Sequence, residues 1–226
     1  MFLWKCWRDT RAFFLAFLVI AAAAIPVIGL ACRGTNLMRD DGITAVISTF
    51  ALFMMVIPLG LGAIGATHEF AEQATHFLFT KPRSRKYFLW VGCSVGGIEL
   101  SIVAVVNLLA SWATMACYSK PFKALFGPAE TQAVVELFLL GLFVYALTYS
   151  LTAILRNGLK GLGGSLGILT GVSAFAVLLR VRWNIQVPIP VQKIGSLPLA
   201  ASYTIWMAVA LLFVYSAHVA MERAEI

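Results

Sequence analysis

The sequence predicts an all-α polytopic membrane protein with six transmembrane helices, and three observations carry that reading. The chain is 61% hydrophobic and only 12% charged, against about 25% charged residues in soluble domains. Its apolar residues gather into six runs of about 20 residues or more, the length that crosses a hydrocarbon core. Polar and basic residues are confined to the stretches between those runs. The net charge of +7 therefore fits membrane topology and anionic lipid head groups rather than nucleic acid. Residues 1–226 read as one transmembrane domain, with no internal repeat, low-complexity segment or soluble domain.

The N-terminus alternates Trp4 and Trp7 with Lys5, Arg8 and Arg11, a mixture suited to an interfacial helix with rings toward the bilayer and charges toward phosphate. Span one covers 12–31. It is too long for a secretory signal and lacks a cleavage site. Gly29 stands where a lipoprotein cleavage box, otherwise suggested by Leu30-Ala31-Cys32, needs a large aliphatic residue, so the span is read as retained. Span two covers 43–66 with Pro58 as a kink, span three 88–115, and span four 132–155. Span five covers 161–179 and span six 200–220. Gly163, Gly167 and Gly171 recur every fourth residue in span five, a stripe that permits close helix contact. The outer connection 180–199 carries Pro188, Pro190 and Pro198 yet is too apolar for water, which predicts short pieces lying on, or dipping into, the outer interface where protein covers the backbone.

Between spans two and three lies the basic island Thr67–Lys86. Read as a helix from Glu69 to Phe79, it puts Phe70, Ala74, Phe77 and Leu78 on one side and Glu69, Glu72, Gln73 and His76 on the other. Pro82 stops that helix and Ser84 is placed to cap the next. Lys81, Arg83, Arg85 and Lys86 form the densest positive cluster, which places the island inside. Both termini are then cytoplasmic. Of the 17 Lys and Arg, Arg33, Arg39, Lys120, Lys123, Arg180, Arg182 and Lys193 fall outside and the other ten inside.

Several chemistries can be weighed on these residues. Glu99 lies roughly 18 Å above Tyr87 at 1.5 Å per residue, near mid-membrane. It reads as a protonated carboxyl that bonds helices together or as a candidate substrate-path residue in a cavity, and no Lys or Arg lies deep in a span to pair with it. Glu136 is shallower, near the outer end of span four. His68, Glu72 and His76 share a helix face but miss the zinc motif H-E-x-x-H, which favours a polar contact face. Gly60 to Gly65 matches G-x-G-x-x-G inside an apolar span with no preceding strand, so close packing or local flexibility at the inner end of span two is its reading. No P-loop occurs in the chain. No catalytic set can be assembled either, which weighs against an intramembrane enzyme. Cys6, Cys32, Cys93 and Cys117 form no C-x-x-C pair; Cys32 and Cys117 lie near the oxidising outer surface, where a disulfide between them is a hypothesis.

The island also carries a resemblance. Small residues ending span two, Glu69 or Glu72, Thr75, Phe77-Leu78, Pro82, Ser84-Arg85 and the start of span three resemble the pattern of type-2 ATP-binding-cassette (ABC) permeases. Trp4-Lys5-Cys6-Trp7-Arg8 is similar to the W-K-x-W-R start of many of them, and the six-span layout agrees across the chain. Gln73 and Ala74 depart from the usual Glu-x-x-x-Gly-Thr arrangement. The resemblance implies an N-terminal amphipathic helix, a coupling helix in the island and re-entrant outer helices between spans five and six. It also implies a separate ABC ATPase subunit that binds ATP and Mg, leaving no cofactor in this chain, and a second permease copy or a sister permease enclosing the path. Localisation would be the bacterial plasma (inner) membrane, and the activity export by alternating access. Glu69, Phe70, Glu72, His76, Phe77, Leu78, Arg83, Ser84 and Arg85 are its candidate ATPase-coupling residues. A membrane scaffold that moves no substrate is the alternative class.

Overall fold

A computed structural model describes residues 2–31, 42–70, 85–117, 127–183 and 197–223. They form six helices: α1 (Phe2–Ala31), α2 (Gly42–Phe70), α3 (Arg85–Cys117), α4 (Pro128–Leu155), α5 (Gly158–Trp183) and α6 (Leu199–Arg223). Each contains an apolar stretch, 21 to 29 residues long, that can cross a membrane. The six expected spans fall one to a helix. The N-terminal interfacial segment, expected as a separate piece, is instead continuous with span one in α1. The expected re-entrant pieces fall mostly within 184–196, outside the described residues.

Helix ends follow local chemistry. Pro128 opens α4 at a position where its missing N–H and fixed φ are no penalty, four residues before the expected start of span four, with Gly127 extended in front of it. At the other end Arg156 takes a left-handed conformation (φ 51, ψ 28) and stops the helix. Asn157 then starts α5 by accepting the Lys160 N–H on its side-chain oxygen at 3.1 Å and the Gly161 N–H on its carbonyl at 2.9 Å. The turn between two adjacent spans thus needs only Arg156 and Asn157.

Contacts fix the direction of every helix. Thr10 and Ala21 of α1 meet Glu99 and Asn107 of α3 in the same order, so these helices run parallel. Gly141 packs on Met54 and Thr148 on Gly62, making α4 parallel to α2. Glu136 bonds Tyr203, and Phe143 meets Trp206 and Phe213 edge-on at 6.0 and 5.6 Å, so α6 also follows α4. Phe13 against Gly60 joins the start of α1 to the last turns of α2. The beginnings of α1, α3 and α5 and the ends of α2, α4 and α6 therefore share one end of the bundle, called here the island end.

At the centre lies α4, buried from Phe143 through Ser150 and packed against α2, α3, α5 and α6. Two of its buried hydroxyls are satisfied within the helix, Thr148 donating to the Val144 carbonyl at 2.9 Å and Ser150 to that of Ala146 at 2.6 Å, while that of Thr152 has no partner among the described residues. By contrast α5 is largely exposed within the chain, and Gly163, Gly167 and Gly171 have nothing within 4 Å of a built Cβ. The close contact expected of that stripe is not made among the described residues. Cys117 carries a free, exposed thiol, so the hypothesised disulfide with Cys32 is not formed.

Candidate functional site

The island's flanks are in view. Glu69 and Phe70 form the last turn of α2, which runs without a break past the expected start of a separate helix, and Arg85 is the first residue of α3. Glu72, His76, Phe77, Leu78, Arg83 and Ser84 lie outside the described residues, as does most of the expected coupling helix. Beside the end of α2 sits the α4–α5 turn: a Cβ on Gly158 would lie 3.1 Å from the Ala63 carbonyl and against the Thr67 hydroxyl. Thr67 itself donates to the Ala63 carbonyl. Arg156 and Lys160 thereby add two exposed cations next to the island.

Just inside the island end, α2 and α3 are both fastened to α4. Tyr149 is fully buried and donates its hydroxyl to the Leu89 carbonyl at 3.0 Å. One turn earlier, Tyr145 donates to the Cys93 carbonyl at 3.1 Å and reaches that of Gly92 at 3.4 Å. The two rings lie 5.8 Å apart. Spacing of four residues puts both on one face of α4, and glycines make room for them. A Cβ on Gly96 would strike the Tyr145 hydroxyl; one on Gly62 would lie 2.9 Å from the Tyr149 backbone nitrogen; one on Gly65 would touch the Tyr149 ring at 3.7 Å. Gly60 is covered in turn by the Phe13 ring. The packing role read for Gly60 to Gly65 is what these contacts show.

Glu99 occupies a different seam, between α1 and α3. It is 3% exposed and accepts a hydrogen bond on Oε1 from the Thr10 hydroxyl at 2.6 Å, while its Oε2 has no partner. Further along, Asn107 donates to the Ala21 carbonyl at 3.0 Å, and Ser111 donates back to the Asn107 carbonyl at 2.7 Å. Thr10 is the first residue of the α1 apolar stretch Thr10–Leu30. Glu99 therefore stands opposite the island end of that stretch, while the α3 apolar stretch that carries it, Leu89–Cys117, is 29 residues long. At the far end, Glu136 accepts from Tyr203 at 3.0 Å and from Gln132 at 2.9 Å.

The tyrosine and glycine joint was not singled out from the sequence. Its signal was there in the pair Tyr145 and Tyr149, two hydroxyls four residues apart inside an apolar run, which must find acceptors on a neighbouring helix. Comparison with known proteins adds no relative: neither a protein-family model nor a curated protein matches the chain. The described residues thus define a class, a multi-pass membrane protein by six helices long and apolar enough to cross a membrane, with a basic island between the second and third of them.

Proposed function

We propose that the chain is the permease subunit of an ABC transporter, an exporter that encloses its substrate path with a second copy or a sister permease. A separate ATPase subunit, holding ATP and Mg, drives it by alternating access. The observation that carries this reading is the placing of the island between two helices, α2 and α3, that are both locked onto the buried helix α4. A push on such a loop is passed to the core and not absorbed at the surface, because rigid, hydrogen-bonded elements transmit displacement. In this reading Phe70, Phe77 and Leu78 anchor the coupling helix, and Glu69, Glu72 and His76 make its polar contacts. Ser84 caps the following helix, and Arg83 and Arg85 meet lipid phosphate or partner carboxylates. The membrane is the bacterial plasma membrane with both termini cytoplasmic, export is the direction by family analogy, and lipid-like, peptide and drug-like substrates all stay open.

The test is purification of the full chain from its native membranes in mild detergent. A P-loop ATPase should comigrate with it, and replacing Glu69 and Glu72 together with Ala should uncouple ATP hydrolysis from transport. A chain that purifies with no P-loop protein would overturn the proposal in favour of a membrane scaffold.

A further inference from the structure

Glu99 stands apart from the tyrosine joint, yet it is the one acidic side chain buried among the described residues. No cation among the described side chains offsets it. From Thr10 onward α1 has a single charged residue, Arg11, whose side chain is exposed; Lys5, Cys6, Arg8 and Asp9 precede it in the N-terminal turns. Nothing titratable occurs in α2 between Ile43 and Thr67. From α4 come Tyr145 and Tyr149, whose hydroxyls are committed to α3 carbonyls, while Glu130 and Glu136 lie toward its other end. On α3 itself the nearest titratable residue in sequence is Cys93.

A carboxylate with one donor and no cation is the expensive form in an apolar interior, and the neutral acid is the cheap one. The oxygen without a partner, Oε2, is the atom that can carry the proton. It is also enclosed, so nothing larger than a proton or a water reaches it unless α1 separates from α3. That separation would break the Thr10 to Glu99 bond at 2.6 Å and the Asn107 to Ala21 bond at 3.0 Å.

We propose that Glu99 is a proton-binding site that latches α1 onto α3, protonated while the seam is closed and releasing its proton to water when the seam parts. The closed state then binds one more proton than the open state, so linkage fixes the sign: raising pH favours the open seam and lowering it favours the closed one. This holds whether or not an ATPase drives the opening.

The experiment uses the purified full chain in lipid bilayers, followed by infrared spectroscopy and amide hydrogen exchange through a pH series. At neutral pH a protonated-carboxyl band should be present, absent in Glu99→Gln and shifted in Thr10→Val. As pH rises, loss of the band should coincide with at least tenfold faster exchange over Thr10–Ala21, corrected for the intrinsic pH dependence of exchange. In Glu99→Gln that corrected acceleration should vanish. If Glu99→Gln does not fold, the shift of the band in Thr10→Val identifies the residue. A neutral-pH spectrum with no band that responds to either substitution would overturn the proposal. So would loss of the band with no change in α1 exchange.

Discussion

Gly62 and Gly96 sit where an added Cβ would strike α4, whereas Gly163, Gly167 and Gly171 on α5 have nothing within 4 Å. The second set has the more regular spacing, yet the first set makes the contacts. Small residues only permit close approach; what uses the permission is the facing helix. At the island end that helix is α4, which brings two aromatic rings with hydroxyls that must be satisfied away from water. Glycine spacing alone therefore locates a possible contact, and a polar aromatic in a neighbouring span locates a real one.

Placing a larger residue at each set should separate the two regions most sharply. Gly62→Val would drive a side chain into the Thr148 side chain and the Tyr149 backbone, at 2.9 Å from each, and the backbone cannot step aside. Overpacking of this kind costs about 1–3 kcal/mol or more, to be read as a fall in the detergent melting temperature. Gly167→Val should leave monomer stability within about 0.5 kcal/mol, as for sites without contacts. Equal losses at both positions would break the contrast.

Removing the hydroxyls sharpens it further. Tyr149→Phe deletes the bond to the Leu89 carbonyl and should cost about 1 kcal/mol, with faster amide exchange in the first turns of α3. Gly96→Ala should cost about as much by displacing the Tyr145 hydroxyl from the Cys93 carbonyl. Combining Gly96→Ala with Tyr145→Phe should then cost less than the sum of the two, because both act on the same bond. Full additivity would mean that the glycine serves something other than the tyrosine. On the open face, by contrast, Gly163→Ala should stabilise α5 by up to about 1 kcal/mol through helix propensity.

Six spans were legible because twenty apolar residues without charge have few other uses, and each run indeed lies in its own helix. The early start of α4 at Pro128 was less so, since apolarity marks where a helix meets lipid and not where its hydrogen bonding begins. Glu99 was visible as a costly residue because it is a carboxyl inside an apolar run. Its partner Thr10, 89 residues away, follows only from the packing of α1 on α3. The tyrosine joint escaped for a similar reason: a Tyr in an apolar run declares a need for an acceptor without naming the helix that supplies it.

The proposed link between island and core is tested most directly by amide hydrogen exchange on the chain purified with the ATPase subunit proposed for it, with and without a non-hydrolysable ATP analogue. Nucleotide should change protection in the α3 segment 85–97 and the α4 segment 145–155 together, while α5 around Gly167 stays as it was. Nucleotide-induced change at the start of α3 with none in α4 would contradict transmission through Tyr145 and Tyr149.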